Sequence, residues 1–140
     1  MQTLMMVVEF QKAYLKPVRY VPTMPPEEEK ELCYNLIHEE LEEFKDALAA
    51  DDIVEAFDAL LDLQYVIDVA MAVMGFTMLK KKGFDEVHRS NMSKLGADGK
   101  PIYREDGKIL KGPNYSPPDL KTMVDNYVEH YQRIAAKKEE

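Results

Sequence analysis

The stretch from Asp52 to Phe76 constrains the fold of this chain more than any other part of the sequence. Apart from its acidic positions it is apolar on more than one face, which predicts a buried central helix. Glu55, Asp58 and Asp62 lie at positions i, i+3 and i+7, so they project from one stripe of that helix. A carboxylate in apolar surroundings is costly unless it is paired or bound to a cation. Because the segment contains no basic residue, the pattern indicates a cation supplied from outside.

A second acidic stripe comes from the segment before it. Residues 27–49 predict a helix with an acidic first turn, and Glu39, Glu40 and Glu43 lie on a flank of its apolar stripe. The pair Asp51-Asp52 predicts a break and the N-cap of the central helix. A connection this short makes the two helices antiparallel neighbours, so their acidic stripes can face each other.

The other segments predict an all-α fold of four to five helices with one small β element. The further helices are expected at residues 4–14, about 78–95 and 119–138, with a proline-rich connector after the first. Two Asp-Gly turns in the loop insertion at 95–118 predict a β-hairpin, with 102–104 and 109–111 as its strands. We expect a single domain spanning residues 1–140.

Composition excludes several classes of function. The formal net charge of −8 and the absence of a basic stripe argue against a nucleic-acid partner. The one cysteine, Cys33, excludes an internal disulfide. No apolar run is long enough for a membrane span. The apolar residues 1–8 lack the basic region of a signal peptide, so a cytoplasmic protein is expected. The central helix is apolar on too many sides for a small monomer, which predicts a core completed by oligomerisation, as in a homodimer.

The two acidic stripes form an oxygen-only set of side chains. Hard oxygen ligands favour Mg²⁺, with Mn²⁺ as a possible substitute, and a surplus carboxylate can act as a base for an attacking water. Glu39, Glu40 and Glu43 alone would also fit a solvated helix face. A di-iron bundle would need Glu-x-x-His on two helices, and none of the three histidines is preceded in that way.

This acidic pattern resembles a known signature. Glu39-Glu40-x-x-Glu43 followed by Glu55-x-x-Asp58 is similar to the EExxE…ExxD motif of the MazG-like all-α nucleoside-triphosphate pyrophosphohydrolases, which include dimeric dUTPases and phosphoribosyl-ATP pyrophosphohydrolase. Two further segments look like a phage and bacterial branch often labelled phosphoribosyl-ATP pyrophosphohydrolase-like. They are VVEFQKAY at residues 7–14 and EVHRSNMSKLGADGKPIYREDGKILKGPNYSPPDL at 86–120. The resemblance covers most of residues 5–120.

The resemblance implies roles for the acidic residues. Those implied as Mg²⁺ ligands are Glu40, Glu43, Glu55 and Asp58. Glu39 would be the catalytic base that orients water for attack on the α-phosphorus. Asp62 allows a second register, in which Asp58 and Asp62 supply the metal oxygens and Glu55 is peripheral. The relatives form homodimers or dimers of dimers, and either assembly is compatible with the apolar central helix.

The resemblance also suggests substrate-binding residues. Asn91 and Lys94 lie one turn apart and suit a sugar hydroxyl and a phosphate, and Lys111 is a further candidate for a phosphate. Gln11 occupies a position where relatives commonly have histidine. The base pocket has no clear sequence signal, and its candidates are Phe10, Tyr20 and Met24.

The implied activity is Mg²⁺-dependent hydrolysis of a nucleoside triphosphate, and a deoxynucleotide such as dUTP is the expected substrate. The products would be a nucleoside monophosphate and pyrophosphate. Two alternatives stay open: hydrolysis of phosphoribosyl-ATP, and a non-catalytic helical assembly module that keeps the carboxylates as a structural cation site.

Overall fold

The computed structural model describes residues 2–137, and within them the chain forms five helices and no strand. The helices are α1 (Gln2–Ala13), α2 (Glu27–Ala49), α3 (Ile53–Val73), α4 (Lys80–Met92) and α5 (Leu120–Ala136). The predicted all-α fold is therefore confirmed. None of the described helices has the length and apolar character needed to cross a membrane. The chain divides into two compact units, the first ending at Met78 and the second beginning at Leu79.

In the first unit, α3 packs against both α2 and α1. Its contact with α2 is built on small side chains, because Ala47, Ala56 and Ala59 are all buried. Asp52 caps α3 as predicted: its Oδ1 accepts hydrogen bonds from the backbone N–H groups of Val54 and Glu55, at 3.0 and 3.1 Å. The three-residue connection between the helices makes α2 and α3 antiparallel neighbours.

The proline-rich connector is held against the C-terminal end of α3. The backbone N–H groups of Arg19 and Thr23 donate to the carbonyls of Ala72 and Met74, at 2.9 and 3.0 Å. Gly75 then adopts φ +81°, and a Cβ at this position would lie 2.1 Å from the carbonyl oxygen of Val21. Glycine is required here because both the backbone conformation and the approach of the connector exclude a side chain.

Arg19 joins the connector to both long helices. Its Nη1 donates to the carbonyl oxygen of Val73 at 2.8 Å and forms an ion pair with Glu29 Oε2 at 2.6 Å. Both side chains are half-buried. Glu29 of the acidic first turn is therefore paired and not simply solvated. The sequence does not reveal the pair because its two members lie in different elements.

The prediction that α3 is buried on more than one face is wrong for the single chain. Ile53, Phe57 and Leu61 follow one stripe of α3 and are 81%, 63% and 52% exposed. Most of the residues that α3 does bury are small, and its one buried acid is Asp68, with 0% exposure. The fold therefore leaves a large apolar stripe of α3 uncovered by the described part of this chain.

In the second unit, Glu86 organises the junction between α4 and α5. Its carboxylate accepts two hydrogen bonds from Arg89, both at 2.8 Å, and one from the backbone N–H of Asp119 at 2.9 Å. These contacts lower the pKa of Glu86 to about 2, because the arginine and the backbone N–H both favour the ionised carboxylate. Asp119 in turn caps α5 by accepting from the N–H of Thr122 at 3.1 Å.

The predicted β-hairpin does not form as two strands. The chain turns at Gly107, and only one isolated antiparallel bridge, between Tyr103 and Ile109, connects its two sides within the described residues. The Asp-Gly turn is present, but the flanking apolar side chains are exposed, so no buried face stabilises a longer ladder. The local turn signal was correct, and the strand assignment was not.

Candidate active site

The acidic residues of α2 and α3 lie along one side of the contact between the two helices. Glu40 is half-buried, whereas Glu39, Glu43, Asp58 and Asp62 are exposed. The sequence predicted buried carboxylates on α3, so the exposure of Glu55, Asp58 and Asp62 is a correction. Alanines at the helix contact explain the arrangement, because small side chains bring the backbones together and leave the longer acidic side chains at the edge.

Glu40 is the centre of this group. Its pKa is raised above the ordinary value, first because its surroundings are poor in water and then because other carboxylates repel its charge. The contributing carboxylates, in decreasing order, are Glu43, Asp62, Glu39 and Asp58. Within residues 2–137 no donor reaches its buried Oε2 atom. Negative charge is therefore concentrated around one oxygen that lacks a protein partner.

Two cavities flank the acidic group. Glu40 and Asp62 line the first cavity, of about 470 Å³, which extends between α1, α2 and α3. Glu43, Glu55 and Asp58 line the second, of about 330 Å³, near the connection between α2 and α3. Glu55 is absent from the carboxylates that shift the pKa of Glu40. The geometry thus groups Asp58 and Asp62 with Glu40, and places Glu55 at the second cavity beside Glu43 and Asp58.

The residues present suit a divalent cation by charge and donor type. All the ligand candidates are carboxylates, which Mg²⁺ and Mn²⁺ prefer, and the unpartnered Glu40 Oε2 is the kind of oxygen a cation would satisfy. In the part of the chain that is described, no three acidic, histidine or cysteine side chains already converge as a ligand set. Mutual repulsion keeps such side chains apart, and a cation would have to draw them together.

The wall of the first cavity combines aromatic side chains with one buried amide. Phe10 packs against Tyr14 with ring centroids 4.4 Å apart, and against Tyr65 edge-to-face at 5.7 Å. Gln11 also lines the cavity and is only 4% exposed. Burial, followed by the nearby Tyr14, raises the pKa of Tyr65. The aromatic rings make the sides of the cavity apolar, and the Gln11 amide and the Tyr65 hydroxyl supply two polar groups.

Of the three base-pocket candidates named from sequence, only Phe10 lines this cavity. Tyr20 and Met24 belong to the connector, and neither is part of the cavity wall. Cys33 is 5% exposed and also lines the cavity. A sequence signal for Gln11 did exist: it continues the buried α1 stripe of Leu4, Val7 and Val8, where a polar side chain is unusual.

The remaining substrate candidates belong to the second unit. Lys94 Nζ donates to Asn91 Oδ1 at 2.8 Å, and Lys111 Nζ lies 4.5 Å from the centroid of the Tyr115 ring. A backbone hydrogen bond of 2.8 Å from Gly112 N to the carbonyl of Lys94 brings the two lysine segments together. The structure therefore places the predicted Asn91–Lys94 pair and Lys111 in one local group.

Comparison with known proteins gives the chain its family. The family model described as phosphoribosyl-ATP pyrophosphohydrolase matches residues 7–91, which include the acidic residues of α2 and α3 and all but the end of α4. No curated protein matched the chain. Because the family match covers more than half of the sequence, this chain belongs to the phosphoribosyl-ATP pyrophosphohydrolase family, within the MazG-like all-α pyrophosphohydrolase superfamily.

Proposed function

We propose that this protein hydrolyses a nucleoside triphosphate, with deoxynucleotides preferred, between its α- and β-phosphates in a Mg²⁺-dependent reaction. The family supports a pyrophosphohydrolase acting on a nucleotide-like substrate. The observation that carries the finer proposal is the Glu40 group: a half-buried carboxylate with a raised pKa, surrounded by four others, beside a cavity of about 470 Å³. Such a site can bind a cation and a phosphate chain together.

The proposed reaction is a single displacement at the α-phosphorus. A water oxygen bonds to that phosphorus while the bond to the oxygen bridging the α- and β-phosphates breaks. Pyrophosphate leaves with the bridging oxygen, and the water proton passes to a carboxylate. Glu39 is the proposed base, because it is solvent-accessible and lies close enough to affect the pKa of Glu40.

The other carboxylates are the proposed cation ligands. Glu40 and Glu43 from α2 would bind with Asp58 from α3, and Asp62 or Glu55 would complete the set. Held by these carboxylates, Mg²⁺ would neutralise charge on the phosphates and so favour attack on the phosphorus. The electrostatic grouping of Glu40 with both aspartates favours the register that uses Asp58 and Asp62, with Glu55 peripheral.

The test is pyrophosphate release from a panel of ribo- and deoxynucleoside triphosphates, with Mg²⁺ and with a chelator. We expect release from one or a few nucleotides, lost on chelation and restored by Mg²⁺ or Mn²⁺. The monophosphate product distinguishes cleavage between the α- and β-phosphates from removal of the terminal phosphate. Release of inorganic phosphate in place of pyrophosphate would refute the proposed bond.

Phosphoribosyl-ATP is the second candidate substrate, and the family match favours it equally. It belongs in the same panel, where turnover of phosphoribosyl-ATP alone would decide in its favour. The third candidate is a non-catalytic assembly module with a structural cation site. That function predicts that Glu39→Gln changes neither nucleotide turnover nor nucleotide binding, whereas the hydrolase predicts a large loss of turnover.

A homodimer, or a dimer of dimers, is part of the same proposal, as are a cytoplasmic setting and a role in controlling the nucleotide pool. The exposed stripe of Ile53, Phe57 and Leu61 supports a second copy as the cover for α3. Phe57→Glu should shift the protein to monomer in light scattering. The exchange of Glu105 for lysine, in a polar loop, serves as the charge-changing control and should leave the mass unchanged.

A further inference from the structure

The first cavity has two ends, which are built in different ways. Glu40 and Asp62 line it at one end, where the carboxylates of α2 and α3 lie close together. Glu29 precedes Glu40 by eleven residues on α2, Val73 follows Asp62 by eleven residues on α3, and both also line the cavity. Eleven residues of α-helix rise about 16 Å and return to nearly the same face. The cavity therefore runs along the two helices over that length, with Glu29 and Val73 at its second end.

Arg19 joins the elements that form the second end. Its guanidinium donates to both carboxylate oxygens of Glu29, at 2.6 and 3.2 Å, and to the carbonyl oxygen of Val73 at 2.8 Å. Pro17, which lies just before Arg19 in the connector, lines the cavity as well. One side chain thus holds the connector, α2 and α3 together at this end. We call the contacts of Arg19 with Glu29 and Val73 the Arg19 clasp.

The two ends differ in what they can offer a ligand. At the first end, Glu40 Oε2 has no donor within residues 2–137 and like charges surround it, so a cation with its phosphates can be taken up there. At the second end, both oxygens of Glu29 are already bound by Arg19, and the two side chains are each only 26% exposed. Polar groups that satisfy one another in this way form a wall and leave little for a ligand to bind.

A nucleotide with its phosphates at the Glu40 end would direct its base towards this wall. The sides of the cavity between the two ends are apolar, with Phe10 and Tyr65 edge-to-face and Val66 on α3. Such sides suit the flat faces of a base. A long substituent on the edge of the base away from the sugar would then meet the Arg19 clasp.

We propose that the Arg19 clasp limits the length of the ligand that the first cavity accepts, with Arg19 as a positioning residue for substrate specificity. Arg19 is not among the residues that line the cavity, so it acts by holding Glu29, Val73 and the connector in place. Without the clasp, the connector can move away from α2 and the second end opens. This inference rests on the proposed function, because it places a nucleotide in the cavity with its phosphates at Glu40.

The experiment compares two ligands that differ only in length. The probes are α,β-methylene analogues of dATP, dGTP, dCTP and dUTP, in which the bond proposed to break is replaced. Each carries either a methyl or a hexyl group on the same nitrogen of its Watson–Crick edge, so both forms lose the same N–H donor. Calorimetry with Mg²⁺ should show that wild type binds a methyl form about 10- to 200-fold more tightly than its hexyl form. In Arg19→Met this ratio should fall towards equality.

Lys45→Met is the matched control, because it removes a cation from an exposed ion pair of 2.7 Å on α2 that does not line the cavity. It should keep the wild-type ratio. A purely structural Arg19 would weaken both forms alike, so an unchanged ratio in Arg19→Met would overturn the inference. Equal binding of both forms by wild type, or no binding of any methyl form, would overturn it as well.

A second variant keeps the test decisive should Arg19→Met fail to fold. Glu29→Gln removes the charge from the same ion pair without shortening the side chain, so the ratio should again fall, and an unchanged ratio would contradict the clasp. The proposed activity is tested separately with the unmodified triphosphates. Length-selective binding of the analogues without turnover of those triphosphates would refute the activity and leave the role of Arg19 intact.

Discussion

Glu40 in the first unit and Glu86 in the second have opposite electrostatic surroundings. The first unit carries sixteen acidic and five basic residues, whereas the second carries ten acidic and thirteen basic ones. In the first, Glu40 is surrounded by carboxylates and its pKa is raised. In the second, Glu86 is bound by Arg89 and a backbone N–H, and its pKa falls to about 2.

This contrast separates two uses of the same chemical group. Glu86 stabilises the junction of α4 and α5 because every favourable contact is made within the chain. At neutral pH Glu40 lowers the stability of the folded chain, because its charge is repelled and partly removed from water. A carboxylate that costs stability indicates a ligand that the folded chain alone does not supply.

The largest expected effect is on turnover. Asp58→Asn removes a charge but little volume, so it should reduce Mg²⁺-dependent hydrolysis by about 100- to 1,000-fold, the usual scale for loss of one electrostatic contact in a transition state. Helical content should stay unchanged in circular dichroism. Asp62→Asn measured in parallel decides the register: a loss as large as that in Asp58→Asn supports Asp58 with Asp62, and unchanged turnover supports Glu55 with Asp58. Unchanged turnover in Asp58→Asn would remove Asp58 from both registers.

The second expected effect is a gain in thermal stability when Mg²⁺ is added. Mg²⁺ at 100 times its Kd should stabilise the wild type by about 2.7 kcal/mol, which is several degrees in Tm. Glu40→Gln should lose most of this gain, and its metal-free form should be at least as stable as wild type at neutral pH. Glu42→Gln is the control, because Glu42 pairs with Lys45 at 2.7 Å and should respond to Mg²⁺ like wild type. An undiminished Mg²⁺ gain in Glu40→Gln would remove Glu40 from the ligand set.

The pH dependence of stability, measured without added metal, tests the same difference between Glu40 and Glu86. The raised pKa of Glu40 means that the folded state binds a proton more readily, so this group lowers stability as the pH rises above about 4.5. In Glu40→Gln, stability should therefore fall less steeply as the pH rises above about 4.5. The stability of each protein is measured by urea unfolding at several pH values. If stability falls as steeply with pH in Glu40→Gln as in wild type, the raised pKa of Glu40 is contradicted.

The smallest expected effect is the contribution of Glu86 to stability, and its pH dependence has the opposite sign to that of Glu40. Its lowered pKa gives stability that is complete above about pH 4.5 and lost as the pH falls towards about 2. Glu86→Gln should lower Tm modestly at neutral pH and lose this acid dependence. Hydrogen exchange at the start of α5 is the direct measurement, and faster exchange there in the variant is expected. Unchanged exchange would mean that the Asp119 contact contributes nothing.

The sequence predicted those features that depend on local patterns. Apolar periodicity and proline positions located the helices, and Asp52 was identified as a cap because capping depends on neighbouring residues only. Asp58 and Asp62 of α3 lie near Glu40 of α2, because the three-residue connection makes the two helices antiparallel neighbours, whereas Glu55 is not among the carboxylates that shift the pKa of Glu40. Glu39, Glu43 and Asp62 accordingly lie near Glu40.

Features that depend on distant contacts could not be predicted in this way. The first cavity needs α1 against α3, an arrangement set by the connector through Arg19 and Gly75. Exposure of Phe57 could not be predicted from an apolar pattern, because the pattern is the same whether this chain or a second copy covers the face. The hairpin failed because turn residues specify a reversal but not the packing that holds strands together.

The contact between Arg19 and Val73 has a consequence for the order of folding. Its partners are 54 residues apart, whereas α2 and α3 are joined by three residues. Contacts between near neighbours in sequence form early, and closure of long loops is slower. We expect the α2–α3 hairpin to assemble first and the connector to attach α1 afterwards. Arg19→Met should then speed unfolding with little change in the folding rate, and a φ-value near one at this position would reverse the order.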